Sequence, residues 1–232
     1  MAESALRRKK RAAIAASSRR LTAAQRIRRA SVMTDAGLKL RAAGRKALAK
    51  GNLVREAPAG RDRSPFQNLV SVLAVLRGLK LPHALIGGWA VIARGYLRVS
   101  EDIDLMIDLP ASRRKALLEA LRPEGGEDDP ISGLVRAGPR AEKSFPVDFI
   151  PARGAADRGA LARASEVATD GVSIPVVLPE DLIAMKLESG GGQDYEDARQ
   201  LLAVRAGTLD EPRLLQSCRE RKTLERLALL RR

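Results

Sequence analysis

The six residues 102–107 (DIDLMI) constrain the fold of this chain more than any other stretch. Side chains of a β-strand alternate between its two faces, so Asp102 and Asp104 are predicted to project from the same face. The apolar residues that point the other way, into a core, are Ile103, Leu105 and Ile107. The pattern therefore predicts a strand with one apolar, buried face and two acids on the opposite face.

Two carboxylates on one face repel each other, which raises the pKa of one of them unless a cation lies between them. Bound Mg²⁺ would relieve this repulsion, because it takes oxygen ligands and needs only one or two carboxylates together with substrate phosphates. Upstream, Gly87 and Gly88 follow a short apolar run and open a predicted helix. Glycines let the backbone approach a ligand closely, and a helix N-terminus offers free N–H groups to an anion. A phosphate cradle and metal-binding acids are thus predicted on adjacent elements, as nucleotidyl transfer requires.

At these residues the chain resembles the nucleotidyltransferase superfamily, whose members share the DNA polymerase β-like fold. The signature of that family is a Gly-Gly or Gly-Ser pair, a helix, and then Asp-x-Asp on a strand. Gly87 and Gly88 match its first part, and Asp102 and Asp104 match its last part. The alternative interpretation is a turn glycine pair beside a strand edge whose acids are simply solvated.

Two further features extend this resemblance. The run RVSEDID, which begins at Arg98, has the Arg-x-Thr/Ser-x-Asp-x-Asp form common in bacterial members. The resemblance implies that Ser100 contacts phosphate and that Arg98 braces the motif or pairs with an acid. The family also places a third carboxylate on a neighbouring strand, and Asp148, in the apolar, aromatic run FPVDFI, is the best candidate for it.

Residues 178–202 resemble one branch of that superfamily, the abortive-infection and type IV toxin-like nucleotidyltransferases. The pattern of the branch is Pro-Glu-Asp-Leu-x-x-x-Lys-Leu, a turn, and then Lys-Asp-x-x-Asp. Lys186 falls on its lysine, Asp194 and Asp197 fall on its aspartates, and Gln193 replaces the usual basic residue. Lys186 would offset the charge of a bound triphosphate, or it could be a surface lysine lying over apolar neighbours. Asp194 would contribute to nucleotide binding, or could only cap its helix.

The resemblance covers roughly residues 66–205 and implies an α/β (α+β) fold. This nucleotidyltransferase fold has a mixed sheet flanked by helices, followed by C-terminal helices over about 179–232. Apolar periodicity predicts helices over 66–80, 111–122 and 210–232.

Strands are predicted at 84–86, 102–107, around 134–135, at 145–150 and at 172–178. The last of these is expected at a sheet edge, because Pro175 cannot donate a hydrogen bond to a central ladder. The segment 123–130 (PEGGEDDP) is predicted to be a solvated loop, and residues 151–171 are predicted to hold at most a short helix.

The net charge of +14 is confined to one quarter of the chain. Residues 1–63 hold 18 Lys and Arg against 4 Asp and Glu, and the remaining residues hold 24 of each kind. We therefore expect a basic, Ala- and Arg-rich extension with its linker over 1–63 and a nucleotidyltransferase-like domain over 64–232. The extension is interpreted as an arm that binds nucleic acid through phosphates. A solvated or loosely helical tail and a transit peptide are the alternatives.

The expected activity is transfer of a nucleoside monophosphate from an NTP to an acceptor hydroxyl, with Mg²⁺ or Mn²⁺ as cofactor. Asp102, Asp104 and Asp148 would hold the metal, and Gly87 and Gly88 would contact the phosphates. The basic arm and the branch resemblance favour RNA, such as a tRNA end, as the acceptor, in a toxin with an antitoxin partner. Protein hydroxyls and small molecules such as aminoglycosides remain alternatives, as does a non-catalytic module that binds nucleotide or nucleic acid or serves as a partner subunit.

Other classes of protein are excluded by composition. The chain has one cysteine, Cys218, and therefore no intramolecular disulfide, and its one histidine, His83, cannot form a multi-histidine zinc site. It contains neither a run of about 18 apolar residues nor a signal-peptide core, so no membrane span is expected. A cytoplasmic location is the expectation.

Overall fold

The computed structural model describes residues 18, 20–34, 64–128, 135–137 and 146–232. Most of the predicted basic extension and its linker, residues 1–17, 19 and 35–63, lies outside this part of the chain, as do Leu134 and Phe145.

A seven-stranded mixed sheet forms the centre of the described fold, with the strand order β3-β4-β5-β2-β1-β7-β6. The strands are β1 (His83–Leu85), β2 (Ile103–Ile107), β3 (Glu127–Asp128), β4 (Val135–Ala137), β5 (Val147–Pro151), β6 (Ser165–Thr169) and β7 (Val172–Val176). Two pairings are parallel, β2 with β5 and β1 with β7, and the other four are antiparallel. The predicted mixed sheet flanked by helices is confirmed.

Helices cover this sheet and extend the chain beyond it. They are α1 (which includes residues 23–34), α2 (Pro65–Gly78), α3 (Gly87–Arg94), α4 (Ala111–Leu121), α5 (Gly154–Ala162), α6 (Pro179–Ser189), α7 (Gly192–Val204), α8 (Glu211–Glu220) and α9 (Leu224–Leu230). A short 3₁₀ turn, Arg122–Glu124, follows α4. No helix in these described ranges is both long enough and apolar enough to cross a bilayer.

A capping box determines where helix α2 begins. The Ser64 side chain accepts a hydrogen bond from the Gln67 backbone, the Gln67 side chain accepts one from the Ser64 backbone, and Pro65 occupies the first turn. Leu69, Leu73 and Leu76 of the apolar face predicted for this helix are buried in the core, and the helix packs against α4 and β5.

Helix α3 is the element that faces the centre of the sheet. It packs against β2, α6 and α7, and its Trp89 is fully buried. At its C-terminal end, the Arg94 guanidinium donates to the carbonyls of Val176 and Val177, which ties the helix to the end of β7. The helix that follows the glycine pair is therefore packed against β2 and fastened to the end of β7 at its C-terminal end.

Part of the predicted basic extension forms helix α1, which is docked on the domain. Ile27 and Ala30 are fully buried, and the Arg26 side chain donates to the carbonyls of Ile92 and Ala93 at the end of α3. The Ser18 hydroxyl donates to the Gly95 carbonyl. A docked helix is compatible with the alanine-rich composition of the extension, and the division of the chain at residue 63 stays a prediction.

The prediction that 172–178 forms an edge strand is wrong. Strand β6, which was not predicted within 151–171, pairs with β7 and takes the edge position. Pro175 is tolerated because β7 meets β1 at a single register pair, Leu85 with Val176, so the ladder on that side is short. In β6, Val167 and Thr169 are buried while Glu166 and Ala168 are exposed, which leaves few apolar residues to signal a strand.

Two other segments differ from prediction. Within 123–130, the backbone of Glu127–Asp128 forms β3 and pairs with β4, so the segment is not entirely a solvated loop. The single helix expected over 210–232 is two helices, α8 and α9, because Lys222 takes a positive φ of 57° and reverses the chain between them. Thr223, which is buried, then begins the second helix.

Candidate active site

Three acids converge at one end of the central strands. Strands β2 and β5 run parallel, and Asp104 and Asp148 are register partners across them. Asp102 lies in the bend just before β2, which begins at Ile103, so the prediction that both acids of the pair lie within the strand is correct only for Asp104. One carboxylate oxygen from each of Asp102, Asp104 and Asp148 lies within 4.8 Å of the others. We call this group the acid cluster.

Asp104 lies in a largely desolvated place within the cluster. Its burial raises the pKa of its carboxyl to about 6, and the charges of Asp102 and Asp148 act in the same direction. Lys186 and Arg98 lower this pKa only in part. The cluster therefore carries excess negative charge in a partly buried place, a condition typical of functional sites.

The acid cluster fits a divalent cation. Its donors are carboxylate oxygens, which Mg²⁺ and Mn²⁺ prefer, and a cation placed among them would relieve the repulsion that raises the pKa of Asp104. Ile103, Leu105 and Ile107 are fully buried on the other face of β2, so the strand that presents Asp104 is anchored in the core. The alternation predicted from the sequence accounts for this anchoring.

The glycine pair lies directly against this cluster. Gly87 has a φ of +59°, and a β-carbon at that position would collide with the carboxylate of Asp104. A β-carbon on Gly88 would collide with the Ser100 hydroxyl and would lie 2.7 Å from the Arg98 Nη2 atom. Only residues without side chains allow the start of α3 to approach the acids this closely.

Ser100 lies at the centre of this contact. Its side chain, which is buried, lies beside Gly88, and its carbonyl accepts a hydrogen bond of 3.3 Å from the Thr34 hydroxyl of α1. The structure thus places Ser100 next to the glycine pair, and its contact with phosphate stays a prediction. The link to α1 was not predicted, because no local pattern relates residues 66 positions apart.

Lys186 and Arg98 converge on a buried acid, Asp197. The Lys186 Nζ atom donates to Asp194 Oδ1 at 2.7 Å and lies 3.1 Å from Asp197 Oδ2. Arg98 donates to the same Asp197 carboxylate at 2.9 Å, and Gln193 donates to it at 3.0 Å. Asp197 is fully buried, so its charge is compensated by these neighbours. Arg98 therefore pairs with an acid, one of the two roles expected for it.

Asp194 both binds Lys186 and caps helix α7. It is the third residue of the helix, and its carboxylate accepts a hydrogen bond from the Gly191 backbone. Partial burial would raise its pKa, but the hydrogen bonds from Lys186 and Ser189 dominate together and hold the pKa below its usual value. The two roles considered for Asp194 are compatible, and its contact with nucleotide stays a prediction.

One partner of the acid cluster could not be predicted from the sequence. Arg136 on β4 is the register partner of Asp148 on β5, and its Nε and Nη2 atoms donate to both oxygens of that carboxylate. A strand near residue 135 was predicted, but sequence spacing gives no information about which residues face each other across two strands. The only local signal is the alternation in β4, where Val135 and Ala137 are buried and Arg136 is exposed. It indicates the face on which Arg136 lies but not its partner.

The one histidine and the one cysteine lie outside the acid cluster. His83 opens β1, and its Nδ1 atom is 2.7 Å from the Leu81 carbonyl oxygen, a contact typical of a structural histidine. Burial lowers the pKa of its imidazole. Cys218 is buried in α8 as a free thiol.

The chain matches no family model, and it matches no curated protein. Among solved structures it is similar to the antibiotic-resistance factor ANT(2'')-Ia, with 20% identity over 71% of this chain and 93% of the other and a TM-score of 0.47. A nucleotidyltransferase-like protein from Paracoccidioides brasiliensis shares 15% identity over 70% and 90% of the two chains, with a TM-score of 0.47. The lincosamide antibiotic adenylyltransferase LnuA shares 20% over 59% and 96%, with a TM-score of 0.43.

At such identities and TM-scores these similarities carry no argument about activity, which has to rest on the site itself. The toxin-like branch stays a prediction from the motifs around Lys186. The chain is similar to nucleotidyltransferases of known structure and carries the sequence motifs that resemble that superfamily.

Proposed function

We propose that this protein is a metal-dependent nucleotidyltransferase, which transfers a nucleoside monophosphate from an NTP to an acceptor hydroxyl. The observation that carries the proposal is the convergence of Asp102, Asp104 and Asp148 directly against the glycine pair at the start of α3. Acids that bind a divalent cation and backbone that can approach a phosphate are the two components such a reaction needs. No other cluster of three potential metal ligands was found among the described residues.

The three acids would hold Mg²⁺ or Mn²⁺. When bound, the ion would neutralise charge on the phosphates and act as a Lewis acid at the phosphoryl oxygens. The contribution of the protein is to hold the carboxylates at fixed positions. Asp104 and Asp148 are fixed by the parallel register of β2 and β5, and the backbone N–H of Ile86 donates to the Asp104 carbonyl at 2.9 Å.

The phosphates of the NTP would bind where Gly87 and Gly88 open helix α3. The free N–H groups of the first helical turn favour an anion there, and the absence of side chains leaves room for it. The Ser100 hydroxyl is close to Gly88 and can donate to the same phosphates. Lys186 is held by Asp194 and Asp197 near the cluster, and its charge would be offered to the triphosphate and to the leaving pyrophosphate.

For the acceptor, the proposal is RNA. The basic excess of residues 1–63 suits phosphate contacts, and the described part of that extension docks beside the site, with Thr34 bonded to the Ser100 carbonyl. Arg20 and Arg29 are exposed on this segment. The extension would thus bring a nucleic-acid backbone to the rim of the same site. A toxin role and an antitoxin partner follow only from the branch resemblance.

The test is to incubate the full chain with each α-labelled NTP, Mg²⁺ and one of two acceptor sets, total RNA or a mixture of aminoglycosides. Label that enters RNA supports the proposal in full. Label that enters an aminoglycoside or the protein itself supports nucleotidyl transfer and overturns the RNA acceptor. No label in any fraction overturns the enzyme assignment in favour of a module that only binds nucleotide or nucleic acid.

The matched variants are Asp104→Asn and Asp108→Asn. Asp104 belongs to the acid cluster, whereas Asp108 follows the same strand and lies outside the cluster. We expect Asp104→Asn to abolish labelling while the protein keeps its circular-dichroism spectrum, and we expect Asp108→Asn to label like the wild type. An active Asp104→Asn protein would remove the basis of the proposal.

A further inference from the structure

Arg136 forms a two-point ion pair with one member of the acid cluster. Its Nε atom is 2.5 Å from Asp148 Oδ1, and its Nη2 atom is 2.9 Å from Asp148 Oδ2. The two residues face each other across the antiparallel strands β4 and β5. The positive guanidinium donates two parallel hydrogen bonds to the negative carboxylate. This geometry holds the Asp148 side chain in one orientation.

The two partners differ sharply in exposure. The Asp148 side chain is 12% exposed, whereas the Arg136 side chain is 55% exposed. By comparison, the pair of Arg98 with Asp197 is buried on both sides, at 17% and 0%. Water screens the charge of a half-exposed arginine, so a divalent cation can replace Arg136 at Asp148 at a lower cost than it could replace Arg98 at Asp197. The Arg136 contact is therefore the more readily exchanged of the two.

We propose that Arg136 is a resident counterion of the acid cluster, which orients Asp148 in the metal-free protein and competes with the divalent cation for that carboxylate. The inference rests on the proposed function and deepens it, because it places control of metal occupancy on a residue outside the cluster. Arg136 acts through Asp148 and is a positioning residue.

The charge balance of the site predicts whether removal of Arg136 raises or lowers the affinity for a cation. Among the described residues, the acid cluster and the ion pairs linked to it comprise five acidic and three basic side chains, so two negative charges are left over, the charge that one divalent cation balances. The acids are Asp102, Asp104, Asp148, Asp194 and Asp197, and the basic residues are Arg98, Arg136 and Lys186. Removal of Arg136 raises the excess to three and should strengthen the attraction for a cation. If Arg136 only supported the structure of the site, its removal would weaken metal binding instead.

The experiment measures Mn²⁺ binding to the full chain without nucleotide, by electron paramagnetic resonance of the free ion. For Arg136→Gln we expect the Mn²⁺ dissociation constant to fall about tenfold, because one positive charge within a few ångströms of the ion has been removed. Arg136→Lys keeps that charge but loses the two-point contact, so its Mn²⁺ dissociation constant is expected to lie between those of the wild type and Arg136→Gln. Arg199→Gln is the matched control, since it removes a half-exposed arginine whose partner, Glu196, is not a member of the acid cluster.

The outcomes separate this inference from the proposed function. Tighter Mn²⁺ binding by Arg136→Gln but not by Arg199→Gln supports it, and unchanged or weaker binding by Arg136→Gln overturns it. If Asp104→Asn weakens Mn²⁺ binding while Arg136→Gln leaves it unaltered, only the role of Arg136 fails. If Asp104→Asn has no effect on Mn²⁺ binding, the metal site itself, and with it the proposed function, fails.

Discussion

The backbone of Gly87 lies so close to the carboxylate of Asp104 that a single added carbon would overlap it. The two residues belong to adjacent elements, the start of α3 and the beginning of β2, and the contact fixes the distance between the proposed phosphate cradle and the proposed metal ligands. A glycine is required at position 87 for a second reason, because the backbone φ of +59° disfavours any residue with a side chain.

The first prediction concerns Gly87→Ala. The left-handed backbone should cost about 1 kcal/mol, and displacement of Asp104 should in addition weaken Mn²⁺ binding at least about tenfold. Gly171→Ala is the control, because Gly171 has a φ of +75° but a β-carbon added there would meet no atom within 4 Å. Urea unfolding and Mn²⁺ titration of both variants would check this. Equal metal affinity in the two variants would contradict the proposed role of the Gly87 contact.

The second prediction is a pH dependence of stability in the absence of metal. Burial together with Asp102 and Asp148 raises the pKa of Asp104 from 3.8 to about 6 in the folded protein. The folded state then binds the proton more tightly than the unfolded state, so the wild type loses stability as pH rises from about 4 to about 6. This shift corresponds to about 3 kcal/mol.

Asp104→Asn removes that ionisation. We expect the free energy of unfolding of the variant, relative to the wild type, to increase between pH 4 and pH 7 when metal is absent. Chemical unfolding at a series of pH values with a chelator present would measure the difference. A difference between the two proteins that does not vary with pH would contradict the raised pKa of Asp104.

The convergence of the acids was predicted from local signals together with the family resemblance. Two-residue spacing placed Asp104 opposite a buried face, whereas the resemblance implied a third acid on a neighbouring strand, and the apolar setting of Asp148 made it the best candidate. The contact between Arg136 and Asp148 could not be predicted, since it depends on the register of β4 against β5. The register of two strands is set by long-range packing. In the three-residue strand β4 only Arg136 is exposed, so the sequence carries little information about which residue it faces.

The parts of the fold that were missed have weak local signals. Strand β6 has an exposed face and few apolar residues, so no alternation stood out, and its absence from the prediction misplaced β7 at the edge. The break between α8 and α9 falls at Lys222, a residue type that rarely takes a positive φ. At both places tertiary packing outweighs the local secondary-structure propensity, and a single sequence does not reveal tertiary packing.

The third prediction concerns the buried acid of α7. Asp197→Ala would leave Arg98 without its carboxylate partner and Lys186 with only Asp194, in a place where Asp197 is fully buried. Breaking a buried pair by removing one partner costs about 3–5 kcal/mol. Glu211→Ala, which breaks the exposed pair with Arg231, should cost less than about 1 kcal/mol.

Thermal and chemical unfolding of both variants would provide the comparison. Asp197→Ala should also lower nucleotidyl transfer in proportion to the displacement of Lys186, whereas Glu211→Ala should not. Similar stabilities for the two variants would show that the network around Asp197 does not hold these basic side chains in place.

The last prediction concerns the docking of α1. The Arg26 guanidinium donates to the carbonyls of Ile92 and Ala93 at 2.9 and 2.8 Å, and to the carbonyl of Leu21. The first two carbonyls belong to the C-terminal turn of α3, where a positive charge is favoured. Burial lowers the pKa of Arg26, and the nearby charge of Arg205 acts in the same direction. The desolvated guanidinium is therefore stable there only because its donors are satisfied.

Arg26→Ala should cost about 2–3 kcal/mol, because buried carbonyls lose charge-assisted hydrogen bonds. Arg29→Ala removes an exposed arginine of the same helix and should change stability by less than about 0.5 kcal/mol. Since Thr34 of this helix bonds the Ser100 carbonyl, detachment of α1 should also release the segment that carries Ser100 and so lower activity. Limited proteolysis together with chemical unfolding would detect the detachment, and equal stability of Arg26→Ala and Arg29→Ala would show that α1 is not held by Arg26.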